Sequence, residues 1–135
     1  MNLFIYAIID AAVVLTSLSF FVFDVYATHI SRPIITMDRQ LFRIDETIAV
    51  KGWVNYNNNP TSNVLLDIIL RAPNGNEIVR EKARSNMDGN FLLNITLPVN
   101  SLPGNYTLDI ISQCRDEHRN ICTNQRSSIP ISIIT

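Results

Sequence analysis

The opening of the chain is almost wholly apolar, and this stretch limits the chain to arrangements that place it in lipid or remove it. From Leu3 to Phe23 the sequence reads LFIYAIIDAAVVLTSLSFFVF, and Asp10 is its only charged residue. A helix of this length, at ~1.5 Å per residue, spans roughly 31 Å, which is about one hydrocarbon core. In water such a helix would expose apolar side chains on every face, so we predict a transmembrane helix within residues 1–30.

A cleaved signal peptide is the alternative interpretation of the same stretch. Its apolar region would be Ala11–Phe23, and its cleavage site would be the small-residue pattern Val25-Tyr26-Ala27. No Lys or Arg precedes the apolar run, although signal peptides normally begin with positive charge. We therefore favour a permanent anchor and leave cleavage open.

Two signals disagree about which side of the membrane holds the rest of the chain. Arg32, Arg39 and Arg43 follow the apolar run and no basic residue precedes it, which by the positive-inside rule favours the cytoplasm. A domain of about 100 residues can translocate regardless of flanking charge. The cysteine pair described below favours an oxidising compartment. We predict a single-pass membrane protein with its C-terminal domain extracytoplasmic.

Asp10 is a costly residue within a helix surrounded by lipid. Ala7, Asp10 and Ala11 share one helical face by their i, i+3, i+4 spacing, and small residues around a polar one can form a helix–helix contact. One hypothesis is that this face docks against a partner helix in a larger membrane complex. The other, which we favour, is that the helix starts later and Asp10 lies at the headgroups.

After Arg32-Pro33 the apolar periodicity changes to two, which is the period of β-strands. Turns that contain glycine or proline separate the alternating runs at the spacing of an antiparallel sandwich. Trp53, the only tryptophan, is expected in the core between the sheets, with an exposed aromatic platform as the alternative. Tyr106 is expected to pack at a sheet corner, with its hydroxyl hydrogen-bonded to the backbone. We predict that residues 31–135 form one all-β, immunoglobulin-like antiparallel β-sandwich of about seven strands. The predicted strands are residues 34–37, 47–55, 63–70, 77–84, 91–97, 106–111 and 129–134.

Short motifs in this part of the chain resemble those of bacterial and archaeal immunoglobulin-like domains of the macroglobulin type. They are an apolar strand with a glycine near its end (Ile48–Val54), a P-x-G hairpin (Pro73–Gly75), a D-G-x-F corner (Asp88–Phe91) and P-G-x-Y-x-L (Pro103–Leu108). The resemblance covers residues 34–135 and implies a scaffold for adhesion, spacing or subunit contact, with no catalytic site to transfer. In layout, a lone domain on one membrane helix is also similar to the stator subunits of the archaeal flagellar motor.

Cys114 and Cys122 are the only cysteines, and they bracket a polar loop between the last two predicted strands. In an extracytoplasmic domain this arrangement predicts a disulfide. The alternative is a metal site that adds His118 and Asp116 or Glu117, but the close C-x-x-C spacing common in structural zinc sites is missing. Because loops carry function on sandwich scaffolds, we predict that the partner-contact site is the charged loop. Its residues are Arg115, Asp116, Glu117, His118 and Arg119.

Charge and motifs argue against nucleic-acid binding and catalysis. With 11 basic and 12 acidic residues, the chain lacks the basic surplus of a nucleic-acid binder. It contains no nucleophile elbow and no glycine-rich phosphate loop, so we predict no enzyme activity, no cofactor and no small-molecule substrate. Asn94-Ile95-Thr96 and Asn105-Tyr106-Thr107 fit the N-glycosylation pattern, which agrees with an extracytoplasmic domain.

These features together predict a non-catalytic, membrane-anchored module for structural or protein–protein contacts at the cell surface. Its expected partners are other membrane or surface proteins. One alternative is a small accessory subunit of a membrane protein complex, either an enzyme complex or an assembly of the archaeal stator type, that docks through Ala7, Asp10 and Ala11. A second is a secreted binding domain whose leader has been removed.

Overall fold

The computed structural model describes residues 29–135, which form nine β-strands and one short 3-10 helix, Asp116–His118. The strands are β1 (His29–Ile35), β2 (Leu41–Arg43), β3 (Ile48–Tyr56), β4 (Asn59–Pro60), β5 (Leu65–Arg71), β6 (Glu77–Arg84), β7 (Asn90–Ile95), β8 (Gly104–Ser112) and β9 (Cys122–Ile134). Between residues 29 and 135 no helix has the length and apolarity to cross a membrane. The docking face of Ala7, Asp10 and Ala11 lies outside the described residues, as does nearly all of the predicted anchor.

The strands form two layers that are joined by β9. In the first layer β3 lies between β1 on one side and β4 and β7 on the other. The second layer has the order β6-β5-β8-β9, with β2 beside the end of β9. β9 pairs with β1 through Cys122–Asn124 and with β8 through Gln125–Ile133, so the layers form one continuous curled sheet. This all-β arrangement agrees with the predicted immunoglobulin-like sandwich.

Alternation along the strands builds the core. In β3 the side chains of Ile48, Val50, Val54 and Tyr56 are buried between the layers, and the intervening residues face outward. Each apolar side chain taken fully out of water contributes about 1.5–3 kcal/mol. The second layer supplies the opposite wall of this core. Its buried apolar residues in this core are Phe42, Leu66, Ile68, Leu70, Tyr106, Leu108, Ile110, Ile131 and Ile133.

The predicted turn chemistry is confirmed at two corners. Gly89 has a φ of 81°, and an Asn86 side-chain oxygen accepts hydrogen bonds from the N–H groups of Asp88 and Asn90, which fixes the turn into β7. Tyr106 is buried, and its hydroxyl donates to the Leu102 carbonyl at 2.5 Å. This bond ties the loop before β8 to the sheet, as expected for a tyrosine at a sheet corner.

The prediction that Trp53 lies between the sheets was wrong. Its neighbours Gly52 and Val54 face the core, so the pleat directs Trp53 to the outer face of β3, where it is half-buried. There it stands opposite Ile34 on β1 and Asn90 on β7.

Strand boundaries also differ from the prediction. β9 begins at Cys122 and not near residue 129, because its polar first half is held by ladder hydrogen bonds to β1 and β8 and not by apolar burial. β2 and β4, with 3 and 2 residues, are too short to show a periodicity.

Candidate functional site

The two cysteines form the predicted disulfide. Cys114 and Cys122 are bonded, with their Cα atoms 6.0 Å apart, and they close the loop between β8 and β9. In the chain-entropy account, closing a loop of about nine residues contributes roughly 2.6 kcal/mol. Because both sulfur atoms are used in this bond, the alternative metal site built on the two thiolates is not formed. Within residues 29–135 no group of three His, Cys, Asp or Glu side chains is placed to hold a metal ion.

Residues 114–122, which we call the stapled loop, lie at the end of the domain where β1 begins. The His29 N–H donates to the Ile121 carbonyl at 3.0 Å, and His29 is in register with Cys122. Inside the loop, the His118 N–H donates to the Arg115 carbonyl at 3.0 Å and the Ile121 N–H donates to the His118 carbonyl at 2.9 Å. The loop backbone is therefore fixed both by its own hydrogen bonds and by the first strand.

Two of the five predicted contact residues are turned toward the domain. The His118 ring stacks on His29 with centroids 4.1 Å apart, and its Nδ1 lies 2.5 Å from the Tyr56 hydroxyl. That hydroxyl also accepts the Arg115 N–H at 3.4 Å. The Arg115 guanidinium donates to the Ser62 carbonyl. Arg115 and His118 thus hold the loop in place.

The other three predicted contact residues point into solvent. The side chains of Asp116, Glu117 and Arg119 are 94%, 61% and 77% exposed. Asp116 and Arg119 form an ion pair at 3.3 Å, which at such exposure contributes little to stability. The structure therefore separates the predicted site into two anchoring residues and three outward-facing charges.

A groove of about 1130 Å³ lies between the stapled loop and the outer face of the second layer. Its floor contains Asp67, which is 8% exposed; an Asp67 oxygen accepts the Gln113 amide at 2.6 Å, and Lys82 lies 3.4 Å away. The Gln113 side-chain oxygen accepts from Asn124 at 2.8 Å, and Asn124 accepts the Cys114 N–H at 2.7 Å. A chain of hydrogen bonds thus joins the groove floor to the disulfide.

Sequence reasoning missed this groove, because its residues come from strands that are far apart in sequence. Asp67 and Gln113 are 46 positions apart, and no motif links them. The one available signal was Asp67 itself, the single charge in the otherwise apolar run Val64–Leu70. A buried charge in such a strand needs a partner from a neighbouring strand.

A second buried carboxylate lies farther along the same outer face. The Asp109 side chain is 6% exposed; it accepts from the Arg71 guanidinium at 2.8 Å and from the Ser128 hydroxyl at 2.5 Å, and Arg126 is 3.9 Å away. Burial alone would raise the pKa of Asp109, but the hydrogen bonds from Ser128 and Arg71 outweigh it and hold the pKa below its ordinary value. The outer face of the second layer therefore carries two buried carboxylates, Asp67 and Asp109, and each forms ion pairs with basic side chains.

Asn94 and Asn105, the candidate glycosylation sites, are both exposed on strands, Asn94 on β7 and Asn105 on β8. Their side chains are accessible from solvent, and their modification stays a prediction.

Comparison with known proteins identifies the fold. The family model of the MG2 domain matches residues 32–126. Salmonella alpha-2-macroglobulin reacted with methylamine aligns with a TM-score of 0.59 at 16% identity, over 78% of this chain and 6% of that one. E. coli alpha-2-macroglobulin in its native conformation gives 0.57 at 15% identity, over 76% and 6%. A tetra-tandem repeat from the extending region of a large adhesion protein gives 0.53 at 16% identity, over 78% and 24%. No curated protein matches the sequence.

The chain spans only a small part of each of these proteins, and the identities are low. The similarity to the solved structures therefore establishes the fold alone.

Proposed function

We propose that this chain is a non-catalytic protein-interaction module, held at the outer face of a membrane by its N-terminal apolar segment. The chain belongs to the MG2 domain family of macroglobulin-type immunoglobulin-like domains. The observation that carries the proposal is the stapled loop, a rigid loop whose outward charges border a large polar groove. The protein whose repeats lie in an extending region is named as an adhesion protein, which is consistent with a contact role for this fold.

The stapled loop is suited to recognition because it is ordered before binding. The disulfide and the contacts of Arg115 and His118 fix its backbone, so a partner would pay little entropy to order it. Asp116, Glu117 and Arg119 then present both signs of charge at defined positions. Such a surface favours a polar partner with complementary charges and gives specificity more than raw affinity.

The position of the loop favours a partner that also resides in the membrane. β1 begins beside the loop, whereas Ile134 ends β9 roughly 40 Å along the strand, at ~3.3 Å per residue. A transmembrane helix that leads into β1 would place the loop and the groove at the end of the domain nearest the bilayer. We therefore propose a neighbouring membrane protein as the partner, in agreement with the partner class expected from sequence.

Co-purification of the full-length protein from native membranes in mild detergent tests this proposal. The triple variant Asp116→Ala, Glu117→Ala, Arg119→Ala is expected to lower the yield of the specific partner about 10-fold or more, which is a loss of about 1.4 kcal/mol. A matched control replaces Arg43, Asp45 and Asp88 with alanine. These residues are exposed away from the groove, and their replacement changes the net charge by the same amount.

An unchanged yield in the loop variant would contradict the proposed surface. Asp10→Leu provides a further arm of the experiment. Loss of the partner with Asp10→Leu, but not with the loop variant, would instead support the accessory subunit that docks through its helix.

The redox state of the cysteines in intact cells tests the proposed location. An extracytoplasmic domain keeps Cys114 and Cys122 as a disulfide, whereas the cytosol keeps most thiols reduced. After rapid acid quenching, a mass-tagged maleimide is expected to label neither cysteine before reduction and both after it. Labelling before reduction would place the domain in the cytoplasm.

N-terminal sequencing on the same sample separates an anchor from a cleaved leader, because cleavage after Ala27 would leave a chain that starts at Thr28.

A further inference from the structure

β7 has one edge that no other strand of residues 29–135 covers. It pairs with β3 from Ile48 to Trp53, and on its other side it is the last strand of the first layer. The N–H and C=O groups along such an edge form a template for another strand. In β7 Asn86 already bonds both the N–H and the C=O of Asn90, so the template consists of the residues after Asn90. Proteins normally block these edges with charges, proline, bulges or short length.

The other edges of the sandwich carry such protection. β6 bears Arg80, Lys82 and Arg84 on its outer side, β4 contains Pro60, and β2 has only 3 residues. β7 reads NFLLNI, with no charge and no proline, and its pairing with β3 runs without a register shift. Among the described strands, β7 is thus the edge strand that lacks all of these devices, and it is open after Asn90, whose N–H and C=O are both bonded to Asn86.

The side chains of β7 are complementary to themselves. Asn90, Leu92 and Asn94 face outward, and Leu92 is 66% exposed, while Phe91, Leu93 and Ile95 face the core. In an antiparallel pair of two β7 strands with Leu92 opposite Leu92, Phe91 lies opposite Leu93 and Asn90 opposite Asn94. Apolar residues then meet apolar residues and amides meet amides, and no like charges are opposed.

We propose that β7 is a self-association edge, through which two copies of this chain join their first layers into one continuous sheet about a two-fold axis beside Leu92. A two-fold contact uses the same patch on both copies, which requires the self-complementarity that β7 shows. The same arrangement through β6 would place Lys82 against its own copy, with Arg80 opposite Arg84, and like charges directly opposite are destabilising. The chain therefore favours a second copy at β7 and disfavours one at β6.

Cysteine cross-linking of the full-length protein in its membrane tests the register directly. Directly opposed residues in an antiparallel pair have Cβ atoms ~4.5–5.5 Å apart, close to the reach of a disulfide. Under mild oxidation, Leu92→Cys is expected to form at least about 10-fold more covalent dimer than Leu102→Cys. Leu102 is 75% exposed and lies outside β7, so its variant carries the same extra thiol as a collision control.

A mixed experiment fixes the axis. Differently tagged Asn90→Cys and Asn94→Cys chains are expected to cross-link to each other and not to themselves. Asn94→Cys removes the glycosylation pattern from its own chain, and an added Thr96→Ala removes it from the Asn90→Cys chain, so a glycan cannot mask the result. Leu92→Glu changes a solvent-exposed position opposite Lys51, so it opposes no like charge within its own chain but places two glutamates opposite each other in the dimer. It is expected to abolish dimers seen by amine cross-linking while leaving the melting temperature within about 2 °C, because exposed substitutions change stability little.

Three outcomes would overturn the proposal. They are equal cross-linking at Leu92 and Leu102, no dimer at Leu92, and cross-linking of Leu92→Cys to a different protein. The last would mean that the edge takes a foreign strand. None of these outcomes depends on the stapled loop, so the partner proposal above stands or fails separately.

Discussion

Replacing Gly52 with alanine is expected to unfold most of the domain or to lower its melting temperature by about 15 °C or more. A Cβ at this position would lie 2.0 Å from the Ile34 carbonyl oxygen and 2.7 Å from the Phe91 ring. Ile34 belongs to β1, which is hydrogen-bonded to β3, so the oxygen cannot move away without breaking the ladder. We expect a loss of about 3 kcal/mol or more, a large share of the ~5–15 kcal/mol that stabilises a typical domain.

Gly75→Ala is the matched control for this substitution. Gly75 has a φ of 87°, but a Cβ there would meet no atom within 4 Å, so only backbone strain of about 1–2 kcal/mol is expected. Both variants can be followed in detergent by the fluorescence of Trp53, which is half-buried on β3 and is the only tryptophan. Equal melting temperatures for the two variants would contradict the close approach of β1 and β7 at Gly52.

Gly52 also shows how far the sequence could predict this fold. The motif of an apolar strand with a glycine near its end marked the position, but the reason for the glycine lies in two other strands. The alternation in β3, the turn at Gly89 and the Tyr106 corner depend on neighbouring residues, and all three were predicted correctly. Trp53 was misplaced because its size favoured burial, whereas the pleat directs it outward.

In the candidate site, too, features that depend on residues close in sequence could be predicted, and features that depend on distant strands could not. The disulfide could be predicted because its cysteines are 8 positions apart, and two cysteines that flank a loop in an extracytoplasmic domain are typical of a disulfide. The separate roles within the stapled loop could not, because Tyr56, which holds His118 and Arg115, comes from a strand about 60 residues earlier. The groove floor depends on pairs such as Asp67 and Gln113, which only the order β5-β8 brings together.

Replacing Asp109 with asparagine is expected to lower the free energy of unfolding by about 2–3 kcal/mol at pH 7. The Asp109 carboxylate is buried and joins Arg71, Ser128 and Arg126 across three strands. Removing one partner of a buried ion pair costs about 3–5 kcal/mol. The arginines here are partly exposed, at 31% and 53%, so water recovers some of their solvation and the expected loss is smaller.

The effect of Asp109→Asn should depend on pH in a defined direction. The pKa of Asp109 in the folded protein lies below its ordinary value of 3.8, because the hydrogen bonds from Ser128 and Arg71 outweigh the opposing effect of burial. The folded state thus binds the proton less readily than the unfolded state, and the carboxylate stabilises the fold above the ordinary pKa. That stabilisation is lost as the pH falls below 3.8 and through the folded pKa. The difference in unfolding free energy between wild type and variant should therefore be constant above about pH 5 and shrink below pH 4.

Asp116→Asn is the control for this experiment, because the Asp116 carboxylate is 94% exposed and, within residues 29–135, forms its ion pair with the exposed Arg119. We expect it to change the free energy of unfolding by less than about 0.5 kcal/mol at every pH. Chemical unfolding in detergent at pH 7 and pH 3 measures both variants against wild type. A difference for Asp109→Asn that stays the same at the two pH values would mean that the buried carboxylate does not act through its charge. The loss would then come from packing or hydrogen bonds that asparagine does not reproduce.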